Sequence, residues 1–346
     1  MKRIVDQLRA CRELMPDDYK ALLTMRDPQD VEYLMSQARE VSQEQFGKGI
    51  FLRGLVELSN VCRNDCLYCG IRCSNTHVSR YTLNKEQVLS CCEQGYQLGF
   101  KTFVLQGGEW GEERSQWIAE VIQDIRRGWP DCAITLSLGE HPRETYALWR
   151  KAGADRYLLR HETHNKRLYS LWHPQQMSVS HRLKCLDWLK ELGYQVGAGI
   201  MVGAPFQSLY HLVEDILYLV AFKPHMIGIG PFIPQHDTPF GRFPAGSVDI
   251  TTRLYAILRL AMPQALIPST TALASIAPDG RLRGILAGAN VVMPNLSPLV
   301  TRGQYALYDN KAALGAESAQ GISLLANELS TIGYQINWSR GDSPAL

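Results

Sequence analysis

The chain lacks any apolar run of the roughly 18 residues that a membrane-spanning helix requires. Its first stretch, MKRIVDQLRACRELMPDDYK, mixes acids among bases and holds no apolar h-region, so no secretory signal is expected. A large excess of one charge is missing too: the formal net charge is +2 over 346 residues. No global field therefore favours nucleic acid or a membrane surface, and an anionic ligand has to be met by local groups. There is no low-complexity tract. There is no G-x-G-x-x-G after a first strand, which removes the usual fingerprint of an open, doubly wound dinucleotide-binding sheet. Cysteine is present but stops early, since none of the nine follows Cys185. The odd number, with four inside residues 60–73, disagrees with a disulfide framework. A reducing cytoplasm and a metal site fit better.

What is there reads as an ordinary globular enzyme, with 45% hydrophobic and 20% charged residues. Residues 1–48 repeat apolar positions at helical spacing (Ile4, Leu8, Cys11, Leu14, then Val31, Leu34, Ala38), which predicts an N-terminal helical cap. From about residue 50 the rhythm changes. Short apolar runs alternate with amphipathic stretches, and the runs fall at 51–58, 101–106, 133–138, 156–162, 195–202, 225–232, 265–270 and 290–294. Glycines 99, 153 and 193 end intervening helices just before strands. Strands alternating with helices imply parallel pairing. Eight such units predict an α/β fold of the (β/α)8 TIM-type over residues 49–300, with residues 301–346 as a C-terminal segment closing the barrel.

Chemistry in such a barrel sits at the C-terminal ends of the strands. Those ends carry the cysteine loop, then QGGE, SLGE, RHET, MVGAP, GPFIP, STT and MPN. Strand alternation puts Arg156, Arg160 and Glu162 on one face, and turns His161 away as a satisfied structural histidine. Thr135 and Ser137 share a face, as do Gly197, Gly199 and Met201.

The loop NVCRNDCLYCGIRC spaces Cys62, Cys66 and Cys69 as C-x3-C-x2-C. Three thiolates do not complete a tetrahedral zinc site, and a cubane iron–sulfur cluster normally takes four. Three leave one iron open for a ligand. The open iron can chelate the amino and carboxylate groups of S-adenosylmethionine (SAM), whose sulfonium an electron from the cluster then cleaves. Cys73, four residues on, is read as a bystander, because filling the open iron would block that ligand. The other reading makes Cys73 a fourth zinc ligand in a non-catalytic binding protein. Cys11, Cys91, Cys92, Cys132 and Cys185 are read as buried small hydrophobes.

The cysteine spacing, Tyr68 before the last cysteine, the loop's place after the first strand, and GGE (Gly107–Glu109) ending the second together resemble the radical SAM superfamily. The stretches LSNVCRNDCLYCGIR, VLQGGE, TLSLGE, ADRYLLRHET, LGYQVGAGIMVGAP, IGIGPFIPQHDTP, IPSTTAL and GANVVMPNLSP are similar, in order, to the HydE family of [FeFe]-hydrogenase maturases. The likeness runs from about residue 50 to 310. It implies an enzyme whose adenosyl radical acts at the sulfur of an iron–cysteine complex bearing CO and cyanide, toward the diiron subcluster of the H-cluster. A sister maturase supplies that substrate, a scaffold GTPase receives the product, and an electron donor reduces the cluster. The nearest alternative is a related mutase or sulfur-inserting enzyme, similar to methylornithine synthase or biotin synthase.

The resemblance also assigns residues. Cys62, Cys66 and Cys69 hold one [4Fe-4S] cluster, beside Tyr68. Gly107, Gly108 and Glu109 hold the SAM amino group, Ser137 and Glu162 its ribose or methionine end, Arg182 its carboxylate, and the backbone at Ile229 and Gly230 its adenine. Arg156 and Arg160 are positive groups deep in the lumen for an anionic substrate. Gln106, Thr135, Met201, Thr270, Thr271 and Ala272 shape the cavity, and Tyr305 and Tyr308 close it from above. Some members of the family carry further C-terminal cysteines for an auxiliary cluster. None stands here, so one cluster alone is expected, without full biotin-synthase chemistry.

Overall fold

A computed structural model describes residues 1–312 and 314–345. Its strands are β1 (Gly49–Leu52), β2 (Gly54–Ser59), β3 (Thr102–Gly107), β4 (Ala133–Ser137), β5 (Arg156–Leu158), β6 (Gln195–Val202), β7 (Met226–Pro231), β8 (Val291–Val292) and β9 (Gln335–Asn337). Strands β2 to β7 form a parallel sheet in sequence order. β1 pairs in parallel with β8, and a bridge between Leu55 and Asn295 joins the far end of the ring to β2. The ring closes through residues 265–270, which are not a regular strand. They touch their neighbours by the bridges Met226–Leu266 and Pro268–Val291. Pro268 has no N–H to give, so a ladder cannot run through it. The architecture is a (β/α)8 barrel with one strand reduced to bridges.

Helices wrap the outside. Lys85–Gln97 starts on a capping box, with the Asn84 side chain accepting from Gln87 N and the Gln87 side chain returning the bond. Helix Val179–Glu191 starts on Ser178, which accepts from His181 N. The N-terminal helices Lys2–Cys11, Pro16–Thr24 and Pro28–Phe46 pack on helix Val248–Ala261, and bury Val5, Leu8, Leu22, Leu34 and Ala38. Cys11 is exposed, against the sequence expectation, because it is the last residue of its helix. Cys91, Cys92, Cys132 and Cys185 are buried. Among the described residues no helix is long and apolar enough to cross a membrane.

Beyond residue 300 the chain serves both ends of the barrel. Residues 305–311 cross the C-terminal mouth, where Gly70 N donates to Leu307 O at 2.9 Å. The chain then runs down through helix Ile322–Thr331, and β9 pairs in parallel with β1. At the opposite mouth Arg340 and Asp342 form a plug. Its centre is Arg156, fully buried, which donates to Thr102 Oγ1 (3.2 Å), Gln195 Oε1 (3.3 Å), Arg340 O (3.0 Å) and Asp342 Oδ1 (2.6 Å).

This corrects the expectation for Arg156. Strand parity turns it inward, but it stands at the first residue of β5, at the base. Arg160 lies four residues further along, past the end of β5 and on the wall of the chamber. Thr135, the cross-strand neighbour of Arg156, shares that depth. It is buried, its hydroxyl has no hydrogen-bond partner among the described residues, and it does not line the chamber above.

Candidate active site

The cysteine loop is held by its own backbone carbonyls. Arg80 donates to four of them, on Asn60 (2.5 Å), Ile71 (2.8 Å), Arg72 (2.6 Å) and Asn75 (3.0 Å). Asp65 grips Arg72 with both oxygens, at 2.7 and 2.5 Å, and those bonds hold its carboxyl well below the usual range. Asn60 accepts from Tyr81 N and donates to Ser79 O and Gln304 O. The thiols are therefore presented by a fixed loop, which limits the ordering needed when ligands bind. Burial pushes the Cys66 thiol up, and the Cys69 thiol to about 12.

Gly108 lies directly behind this loop. A Cβ there would stand 2.2 Å from Val61 O and 2.8 Å from Cys62 Cβ, so no side chain fits. Gly139, at φ +88°, similarly leaves room for the Glu109 carboxylate. Glu109 itself differs from its expected part. One oxygen accepts from Arg63 Nε (2.9 Å) and the other from Glu140 N (2.7 Å). Its side chain braces the cysteine loop against the end of β4, and does not line the chamber. The brace continues, since Glu140 Oε1 accepts from Arg182 Nε at 2.5 Å and Arg182 Nη1 donates to Arg160 O at 3.0 Å.

The chamber at this end of the barrel has a volume of about 340 Å³, within the range of small-molecule sites. Its wall includes Tyr68, Cys69, Gln106, Gly107, Ser137, Arg160, Glu162, Arg182, Met201, Gly230, Thr270, Thr271, Ala272, Tyr305 and Tyr308. Arg160 Nη2 donates to Glu162 Oε2 (2.8 Å) and to Ile200 O (2.9 Å), while its Nε has no partner among the described residues. Glu162 takes φ +65°, a strained backbone for a side-chain-bearing residue. Such strain gathers at functional sites. Two backbone bonds hold it there, Glu162 N to Gly199 O and Met201 N to Glu162 O. Ile229 is buried off the wall, and its carbonyl is taken by Tyr255 Oη at 2.8 Å, so of the expected pair Gly230 alone faces the chamber.

Tyr68 Oη lies 3.1 Å from His173 Nε2. Burial lowers the His173 pKa to about 3, and its Nδ1 meets Tyr169 O at 2.9 Å. The ring is thus neutral with its proton on Nδ1, so Nε2 accepts from Tyr68. His161 is turned away as expected, but it is not satisfied. Its Nε2 lacks a hydrogen-bond partner among the described residues and sits 4.0 Å from Asp215.

Sequence reasoning missed several residues. Glu57 in β2 is fully buried, accepts from Asn295 Nδ2 at 2.9 Å and pairs with Lys311 of the roof. An acid within an apolar strand was the signal. Its partner lies 254 residues away and left none. Arg80 and Glu140 were missed because their partners are backbone carbonyls and an arginine on a distant helix.

A loop presenting three thiols at C-x3-C-x2-C spacing, beside a glycine-walled chamber at the catalytic end of a (β/α)8 barrel, is what an enzyme needs to offer an iron–sulfur cluster to SAM. The class is that of radical SAM enzymes, and residues 56–219 match the Radical SAM superfamily. The chain is 42% identical over 300 residues to the [FeFe] hydrogenase maturase subunit HydE of Thermotoga maritima, covering 87% of this chain and 85% of that one. It is 31% identical over 285 residues to 3-methylornithine synthase of Methanosarcina acetivorans, covering 81% and 79%. The crystal structure of methylornithine synthase (PylB) superposes with a TM-score of 0.86 at 26% identity, over 96% and 97% of the two chains. The chain belongs to the HydE family of [FeFe] hydrogenase maturases.

Proposed function

We propose that this chamber binds one [4Fe-4S] cluster on Cys62, Cys66 and Cys69, takes SAM on the open iron, and acts on the sulfur of an iron–cysteine complex bearing CO and cyanide during H-cluster assembly. When bound, cluster and SAM together supply a 5′-deoxyadenosyl radical by reductive cleavage of the sulfonium. The residues present fit these groups. Three free thiols share one braced loop, and Gly108 leaves no side chain between that loop and β3.

The observation that carries the reading is that Cys69, Glu162, Arg182 and Arg160 face one cavity. Arg182, braced by Glu140, offers a guanidinium to the SAM carboxylate. Ser137 and Glu162 accept from ribose hydroxyls or the methionine end. Gly107 presents backbone to the amino group from the chamber wall, with Gly108 packed against the loop behind it, a part that Glu109 supports through the loop. Gly230 lets the adenine lie against β7. Arg160 draws the anionic substrate to the roofed side, between Met201, Thr270, Thr271 and Ala272. Gln106 and Tyr305, bonded at 3.3 Å, screen that side from water. Cys73, exposed at the loop's exit, takes no part.

In this reading the enzyme works in the cytoplasm with an electron donor. It receives its substrate from a sister radical SAM maturase and passes iron units to a scaffold GTPase. Anaerobic reconstitution tests it. The protein is expected to turn brown and to give, after reduction, an EPR signal that SAM perturbs. Cys66→Ser is expected to lose both the iron and SAM cleavage. Colourless protein holding stoichiometric zinc in the loop would overturn it. Cleavage of SAM with ready turnover of a small amino acid, and none of the organometallic complex, would shift the substrate to the mutase class.

A further inference from the structure

Outside the chamber, against the solvent side of Arg182, three unlike ligand groups converge. His181 and Cys185 stand four residues apart on helix Val179–Glu191 and so share a face. Glu140 reaches them from the loop after β4. Cys185 Sγ is 3.7 Å from His181 Nε2, His181 Nε2 is 3.6 Å from Glu140 Oε2, and the three ligand atoms lie within 4.8 Å of one another. Bond lengths of about 2.3 Å to sulfur and about 2.0 Å to nitrogen and oxygen put tetrahedral ligand atoms about 3.3–3.6 Å apart. The two measured edges are already near that size.

We propose that Glu140, His181 and Cys185 form a second metal site, for a single thiophilic divalent cation of the zinc class. The proposal does not depend on the chemistry of the chamber. Thiolate, imidazole and carboxylate together select zinc-like ions over magnesium or calcium, which want oxygen alone. Access fits as well. Cys185 and Glu140 are buried, whereas the His181 side chain is half exposed, so an ion enters past the imidazole and keeps its fourth position toward water. The thiol gives up its proton on binding.

Arg182 is the obvious objection, a cation 2.5 Å from the same carboxylate. The geometry answers it by dividing the carboxylate. Oε1 holds Arg182, and Oε2 is the oxygen turned to His181. Glu140 can therefore ligate with one oxygen while Arg182 bonds the other, as ligating carboxylates are commonly hydrogen-bonded by an outer group.

The test uses protein whose iron–sulfur cluster has been reconstituted anaerobically, so that the loop thiols are occupied. Cys11→Ser and Cys73→Ser remove the exposed sulfurs. After zinc addition and desalting, zinc per chain is measured by mass spectrometry, and its neighbours by X-ray absorption at the zinc edge. About one retained zinc with a single sulfur at about 2.3 Å is expected, lost in both Cys185→Ser and His181→Ala. His181 is half exposed, so its variant tests the site without endangering the fold. Equal retention in either variant, several sulfur neighbours, or no retained zinc would overturn the proposal.

Discussion

Arg156 and Arg160 project from the same stretch of chain toward the same barrel axis, yet they belong to different regions. Arg156 is sealed at the base, with its four donor bonds ending on Thr102, Gln195 and the tail residues Arg340 and Asp342. Arg160 faces the chamber, bonded to Glu162 and Ile200 and with Nε unused among the described residues. A guanidinium with all three nitrogens bonded to protein holds structure, and one with a nitrogen to spare can meet a ligand. The base is the part of the barrel that stabilises, and the mouth is the part that varies with chemistry.

The sharpest way to break this comparison is at the base. Arg156→Met is expected to lower stability by about 2–4 kcal/mol, because it strands the polar groups of the plug. The folded fraction should still hold its cluster and cleave SAM. Chemical denaturation beside iron content checks both halves, and a loss of SAM cleavage at full stability would return Arg156 to the chamber. Arg160→Ala should do the reverse. Stability should change by less than about 1 kcal/mol, SAM binding should persist, and turnover of the organometallic substrate should fall about tenfold or more, near 1.4 kcal/mol in the barrier. Unchanged turnover would remove Arg160 from the substrate side.

The wall behind Tyr68 gives a smaller effect, through pH. Burial depresses the His173 pKa to about 3 from 6.5, so the native state binds fewer protons than the unfolded one across that window. The stability contribution is present above pH 6.5 and is lost as pH falls toward 3. A loss of roughly 1 kcal/mol is expected by pH 6. His173→Gln should flatten the profile measured by thermal unfolding, and an unaltered slope would place the titration elsewhere. The smallest expected effect is none. Cys73→Ser should leave cluster content and SAM cleavage unchanged, and loss of the cluster would make Cys73 a ligand.

The face a residue presents was legible in the sequence, because alternation is local. The β6 span 195–202 was read to the residue. Depth was not legible, because the tail that caps Arg156 lies some 180 residues further along the chain. The run 156–162 reads as one strand, but its regular part ends at Leu158, where the backbone begins turning toward the strained Glu162. The run 265–270 dissolves into bridges around a proline that the sequence does show. The three thiols and the glycines after β3 stood out because residue type and spacing go together there, whereas Arg182 came only from the family resemblance, and the structure places it on the chamber wall. The Glu57–Lys311 pair and the Arg80 clamp were not legible, since buried partners that meet across the fold leave no local pattern.

The roof and the plug share one more property, their place in the order of synthesis. Every barrel strand precedes residue 300, whereas Tyr305, Lys311, Arg340 and Asp342 follow it. Both are made last, so a chain that stops near residue 300 would lack roof and plug together, and the two mouths of the barrel would open at once.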